Sequence, residues 1–364
     1  MPHIKQTLKV GWAMYERWSI EEAHKWYADQ PLLLGANFVP STAINQIEMW
    51  RSESWDPLTI ERELDWAANI GMNTMRVFLH DQLWSEEGEG FLDRIDAFLA
   101  ICDVHAIQPL LVIFDDCWHE PTPDAQPAPR PGIHNSGWVR SPSHAILLDP
   151  DRRAELEEYV AAVFRRFGSD PRILAWDLYN EPTNYFLPSR SMPRREREKA
   201  LKEVERNAGL LRAASFDLIK KVFRWARNAA PIHPLTAGAW NGDRELNSKL
   251  FELSDIISFH NYTPPERLEQ IVTRLKTHGR PLFCTEFLAR RHGSTFENHL
   301  PVFRREKIAG YCWGLVDGKT QTKYAWEDEG DRWAGAEPDP WFHDVFRNDG
   351  SPYRQEEAAL IAAS

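Results

Sequence analysis

Short, nearly unbroken apolar runs alternate along the chain with stretches whose apolar residues recur every three or four positions. The runs at 32–39, 73–79, 108–114, 174–179, 235–239, 256–259, 282–285 and 310–314 read as strands buried on both faces. A strand with one face in water would alternate polar and apolar positions instead. Helical spacing fills the intervals. Ile60, Leu64 and Ala67 share a face after an Asp56-Pro57 start, and Gly71 marks the stop. Leu92, Ile95, Phe98, Leu99 and Cys102 form the next stripe, and Leu156, Val160, Val163 and Phe167 follow Asp149-Pro150. Phe216, Ile219, Val222, Phe223 and Ala226 line a longer helix, and Leu268, Ile271 and Leu275 a shorter one. Weaker helical patterns lie at 243–253, 296–308 and 355–363, and a short one at 19–28 is placed to plug the floor beneath the strands. Strand and helix in strict alternation predict an α/β fold, a (β/α)8 TIM barrel, as one domain over 1–364 with a short N-terminal helical extension.

Three connections exceed plain turns: 115–150 after the third strand, 182–199 after the fourth and 315–353 after the eighth. Loops this long inside a compact domain are usually functional. All three follow the C-terminal ends of strands, the end where barrel enzymes build their sites. The proline-rich piece 121–131 is expected to be stiff and extended.

Composition narrows the class. The chain has 364 residues, is 43% hydrophobic and 27% charged, and contains no apolar run long enough for a transmembrane helix. A net charge of −11 disfavours nucleic acid and anionic membranes as partners. Basic clusters such as Arg194-Arg195-Glu196-Arg197 read as a solvated helix face. The start of the chain, residues 1–6, lacks an apolar targeting stretch, so a cytoplasmic protein is expected, or a secreted or periplasmic one if a signal peptide has been removed. Oligomeric state does not follow from the sequence. Cys102, Cys117, Cys284 and Cys312 form no CxxC pair and read as small buried hydrophobes with free thiols. Tryptophan is abundant, with 16 residues. Trp66 and Trp225 fall on helical faces, whereas Trp50, Trp55, Trp84, Trp118, Trp138, Trp240, Trp313, Trp326, Trp333 and Trp341 fall near strand ends and connections. An aromatic plane with polar neighbours suits the C–H face of a sugar, although packing under long loops accounts for at least half of such residues.

Chemistry concentrates at two strand ends. The fourth run ends in Asn180-Glu181-Pro182, and about a hundred residues on the seventh ends in Glu286. Two carboxylates delivered to one face of a barrel can serve as proton donor and nucleophile on a glycosidic bond. A turn glutamate is the plainer reading of Asn-Glu-Pro alone, and the second strand-end glutamate weighs against it. No HExxH, P-loop or G-x-S-x-G motif is present. The acidic stretch Glu327-Asp328-Glu329-Gly330-Asp331 lacks a full calcium-loop pattern and reads as a solvated turn.

With Arg76 ending the second strand, Asn180-Glu181 the fourth, His260-Asn261-Tyr262 the sixth, Glu286 the seventh and Trp313 the eighth, the chain resembles the retaining glycoside hydrolases of clan A. It is closest to family 5, with its cellulase-, xylanase- and mannanase-type enzymes. The resemblance implies that Glu181 is the acid/base, Glu286 the nucleophile, a carbohydrate the substrate, and that no cofactor or metal is needed. It gives Arg76, Asn180, His260, Tyr262 and Trp313 supporting roles, and Asn37, Trp118, His119 and Trp240 are further candidates for ligand contact. The third strand departs from the family pattern, which has a histidine near its end. Here Phe114-Asp115-Asp116-Cys117-Trp118-His119 leaves either Trp118-His119 or the two aspartates to take that place. Two other readings stand beside this one: a metal-dependent sugar-converting barrel such as an isomerase, with Glu181, Glu286, His260 and aspartates as ligands, and a catalytically silent sugar-binding barrel.

Overall fold

The computed structural model describes residues 16–185, 194–328 and 336–364. The start of the chain at 1–6, part of the connection at 182–199, Trp333 and residues 329–331 of the acidic stretch lie outside the described residues.

In chain order the elements are α1 (Ile20–Ala28), β1 (Leu34–Asn37), α2 (Gln46–Trp50), α3 (Pro57–Asn69), β2 (Thr74–Phe78), α4 (Asp81–Glu87), α5 (Glu89–Val104) and β3 (Gln108–Val112). Then come α6 (His144–Leu148), α7 (Arg153–Phe167), β4 (Ala175–Asp177), α8 (Arg194–Asn228), β5 (Leu235–Thr236), α9 (Arg244–Leu253) and β6 (Ile257–His260). The chain closes with α10 (Pro265–Lys276), β7 (Leu282–Phe287), α11 (Phe296–Glu306), β8 (Ile308–Trp313) and α12 (Gln355–Ala362). Each predicted strand is present. The strands pair in parallel in the order β5-β4-β3-β2-β1-β8-β7-β6. A parallel bridge between Ala239 and Phe259 draws β5 and β6 together, so the sheet curls into a barrel. The seams differ in strength: β4 and β5 share two residue pairs, Trp176–Leu235 and Asp177–Thr236, whereas β2 and β3 share five.

Three layers fill the interior. At the bottom, Leu33, Leu110, Ala175, Phe283, Ala309 and Tyr311 make an apolar floor against which Trp26 and Tyr27 of α1 pack. The Tyr27 and Phe283 ring centres lie 5.5 Å apart, so α1 plugs the floor as its pattern predicts. A Ser19 capping box starts that helix. The middle layer is polar, with Asn37, Arg76 and Asp177 buried. Above it, Phe78, Val112, Trp138 and Trp313 surround the mouth.

The side chains of β7 show how the second glutamate reaches the mouth. Phe283 faces the floor and Phe287 faces the helices, against Phe296 and Phe303. Four residues of plain alternation would return the chain to the same face. The register instead slips between Cys284 and Phe287, and Glu286 pairs with His260. This bulge turns Glu286 inward.

The long connections differ in detail from expectation. Helix α8 begins at Arg194, inside the stretch expected to be a loop after β4, and the exposed Arg194 and Arg195 lie in its first turn as a solvated helix face. The piece 121–131 carries no helix or strand and is tied down where Arg51 donates to the Asp124 carbonyl and Gln82 to the Thr122 carbonyl. The loops after β3 and β8 are latched together. The Asn135 N–H donates to Thr320 O at 2.9 Å, Gln321 Nε2 to Arg130 O at 2.7 Å, and His134 Nδ1 to Tyr324 O at 2.9 Å.

All four cysteines are buried free thiols. Trp50, stacked on Trp55 with centres 5.6 Å apart, and Trp341, stacked on Tyr353 at 4.5 Å, are packing residues under loops. Glu327 lies in an exposed turn, as expected, but Asp328 does not. Asp328 is buried and takes both its oxygens to Arg291 Nη1, at 2.9 and 2.7 Å, so the arginine already balances its charge. Among the described residues no helix is long and apolar enough to cross a membrane.

Candidate active site

Parallel register fixes which residues share a level. Asn37 pairs with Arg76 on one side and Trp313 on the other. Arg76 is fully buried, and its guanidinium meets four acceptors. Nη1 donates to Glu286 Oε1 at 2.9 Å and to Asn37 Oδ1 at 2.8 Å, while Nη2 donates to Asp177 Oδ2 at 2.7 Å and Asn180 Oδ1 at 2.6 Å. Burying a guanidinium without such partners would be prohibitive. Asp177 was not singled out in the sequence. Its signal is a charge in an otherwise apolar strand that must carry an arginine's counter-ion.

Glu181 leaves β4 at φ 42°, a left-handed backbone conformation rare for glutamate, and Thr183 follows at φ 71°. Such strain persists where surrounding contacts hold it. Here Asp116 accepts from Thr183 N–H at 2.7 Å, Tyr179 Oη at 2.7 Å and Ser215 Oγ at 2.8 Å. Trp240 adds an indole hydrogen bond to Pro182 O at 2.9 Å. It therefore braces the turn.

The two glutamates converge on His260. Its Nδ1 lies 2.6 Å from Glu181 Oε1 and 3.3 Å from Glu286 Oε2. One oxygen of each carboxylate and a ring nitrogen of His260 all lie within 4.8 Å of one another. Tyr262 Oη donates to Glu286 Oε2 at 2.7 Å. Gly238 leaves room for the imidazole, since a Cβ there would lie 3.2 Å from His260 Nε2.

On the third strand's connection the outcome differs from both expected alternatives. Cys117 Sγ, rather than the His119 ring, meets Glu181 Oε2, at 3.2 Å. His119 sits in a parallel backbone bridge to Val139, and burial, helped by Arg130 and Arg140, lowers its ring to about 4 and keeps it neutral. Asp115 acts one step back, accepting from Asn180 Nδ2 at 2.9 Å and Trp138 Nε1 at 2.7 Å. Trp118 packs with Phe78, Trp138 and Trp313 at the rim, where Trp326, more than a third exposed, stands edge-on to Tyr262 with centres 4.9 Å apart. Trp84 lies elsewhere, in a cleft of about 630 Å³ between α4 and α7.

Burial raises the Glu286 carboxyl to about 7; the nearby Glu181 charge also raises it, against the pull of His260, Arg76 and Tyr262. Burial pushes Glu181 up as well, but His260, Asn184 and Cys117 donate to it and bring it below its ordinary value. Carboxyls this close titrate as a pair. Low dielectric and mutual repulsion hold one proton on that pair up to neutral pH. Asp115, also raised by burial, to about 6, stays ordered by its three donors.

Glu181, His260 and Glu286 could together offer three atoms to a metal ion. The aspartates needed to complete such a set are otherwise engaged: Asp177 with Arg76, Asp115 with Asn180 and Trp138, and Asp116 with Tyr179 and Ser215. The Arg76 guanidinium against Glu286 already supplies positive charge there.

No protein-family model and no curated protein match the chain. Solved structures do. An endo-1,4-β-D-mannanase from Thermotoga petrophila RKU-1 aligns at TM-score 0.53 and 16% identity, over 91% of this chain and 98% of that one. A β-glucosidase designated 1317 aligns at 0.58 and 15%, over 91% and 97%. A glycoside hydrolase family 5 mannosidase from Rhizomucor miehei aligns at 0.56 and 14%, over 92% and 92%. The chain thus has the (β/α)8 fold found in these glycosidases.

Proposed function

We propose that the protein is a retaining β-glycosidase that works by double displacement. The observation that carries this reading is the convergence of Glu181 and Glu286 to within 4.8 Å around His260. Retaining enzymes hold their carboxyls about 5–5.5 Å apart, whereas inverting ones leave room for a water at about 6.5–9.5 Å. Glu181 gives its proton to the glycosidic oxygen as the C–O bond breaks, and a Glu286 oxygen bonds to the anomeric carbon. Water then attacks that carbon, Glu181 takes the water's proton, and the Glu286 ester bond breaks. Arg76 and Tyr262 favour the ionised nucleophile through the bonds they make to its oxygens. Acid catalysis needs the pair's proton on Glu181. His260 Nδ1 can hand its proton to Glu181 and take that of Glu286, since it reaches both carboxylates.

The latched loops after β3 and β8 wall one side of the mouth and support a pocket for short oligosaccharides over an open polysaccharide cleft. β-Mannosides and β-glucosides are the first substrates to try, because the structural neighbours include a mannanase, a mannosidase and a β-glucosidase. The test is a panel of aryl β-glycosides and defined oligosaccharides, with NMR of the first-formed anomer. Retention is expected, with Glu181→Ala and Glu286→Ala each losing at least about a thousandfold in turnover while remaining folded. An inverted product, or near-wild-type activity in either variant, would overturn the assignment. The three-ligand cluster gives the metal-dependent isomerase its best support. Activity unchanged after exhaustive chelation removes it.

A further inference from the structure

Resting on that reading, we propose that Cys117 is a positioning residue for the acid/base, a thiol that follows the proton on Glu181. Its Sγ lies 3.2 Å from Glu181 Oε2, and Asn180 Nδ2 and Asn184 Nδ2 meet the same sulfur at 3.4 and 3.6 Å. The thiol is held in place from behind. The Cys117 N–H donates to Asp115 Oδ1 at 2.9 Å, and Trp118 turns the chain away at φ 73°.

The acid/base must be protonated in one half-reaction and ionised in the other. Its other neighbours suit one state better. Asn184 Nδ2 donates to Oε2 and His260 Nδ1 lies against Oε1, so both favour the carboxylate. A thiol is a weak donor and a weak acceptor on one rotatable bond. It can donate to Oε2 when Glu181 is ionised and accept from it when Glu181 is protonated, so the carboxyl plane keeps one orientation through the cycle. Burial raises the Cys117 thiol well above its ordinary range, so it remains a thiol in both states and does not compete as a nucleophile.

The charged and titratable groups around Glu181 are His260 from β6, Tyr262 just after it, Glu286 from β7, Arg76 from β2 reaching through Asn180, and Asp115 behind the thiol. Of these contacts, a Cys117 substitution removes only the thiol's. Of the two contacts, the one to the ionised form is the stronger, since the thiol lowers Glu181, so losing it makes Glu181 hold its proton more tightly. Both limbs of the pH profile therefore move to higher pH in Cys117→Ala.

The experiment compares kcat/KM for aryl β-glycosides with poor and with highly activated leaving groups, across pH, in wild type, Cys117→Ala, Cys117→Ser and Glu181→Ala. In Cys117→Ala the poor substrates are expected to slow about tenfold and the activated ones, which need little protonation, to be unchanged. Cys117→Ser keeps the rotating donor and acceptor and strengthens the donor. It should retain activity on the poor substrates with its profile moved to lower pH. If Cys117→Ala does not fold, that downward movement carries the test, and an unmoved Cys117→Ser profile overturns the proposal. An inactive Glu181→Ala beside an unaltered Cys117→Ala, or an equal loss on both substrate kinds, overturns the role of Cys117 alone. Full activity of Glu181→Ala on the poor substrates overturns the glycosidase reading and this proposal together.

Discussion

At Arg76 one guanidinium serves two carboxylates and two amides at the centre of the barrel. Removing it leaves Asp177 charged, buried and unmatched. Arg76→Leu should lower stability by about 3–5 kcal/mol in urea unfolding, and Arg76→Leu with Asp177→Leu should recover most of that loss. Activity should stay lost in both, because Glu286 loses the guanidinium that holds its Oε1. The same scale sets the pH dependence of turnover. In the proposed mechanism the pair works with one proton, so kcat/KM should fall above about 7, where Glu286 releases it, and fall again at acid pH as Glu181 gains a second. A rate flat from neutrality to pH 9 would be incompatible with that assignment. At this scale the sequence showed the two glutamates, Arg76, His260 and Tyr262, because strand ends are readable from apolar runs. It did not show Cys117 or Asp177. Their roles depend on which loop or strand residue comes to lie against a carboxylate or a guanidinium, and no spacing rule carries that.

Among the elements, the eight strands and the longer helices follow from periodicity, while α2, α4 and α6 went unread. Those three have five to seven residues, too few for a repeat of 3.6 to declare itself. Their starts are set by side-chain caps from Asn45, His80 and Ser143. The bulge in β7 was equally hidden, because alternation in a doubly buried strand leaves no polar face to count from. Helix α1 was legible and its contribution can be measured. Tyr27→Ala removes a ring packed on Phe283 at the floor. It should cost about 2–4 kcal/mol in urea unfolding with kcat unchanged. A stability loss below about 0.5 kcal/mol would mean that α1 does not hold the floor.

For the whole molecule, buried histidines oppose buried acids as the pH changes. Burial is the leading cause that lowers His80, His119, His134, His233, His299 and His343, three of them to about 4. A group whose proton binds more weakly in the folded state takes up protons preferentially on unfolding. These six therefore withdraw stability as pH falls from about 6.5 towards 4. Glu63, Asp115, Glu286 and Asp344, raised to between about 6 and 7, act in the opposite sense, their stability being fullest at low pH and fading as pH rises to 7. The histidines are more numerous, so Tm should drop between pH 6.5 and 4, and calorimetry across that range checks it. A Tm that climbs on acidification would show the acids winning.

The narrow seam between β4 and β5 divides the chain so that one of the two proposed catalytic carboxylates belongs to each half. Neither polypeptide piece, made separately, would hold both groups that the proposed reaction consumes and regenerates. Two inert fragments cut along that line and mixed would turn a chromogenic substrate over only as far as they found each other, and the colour would count reassembled barrels.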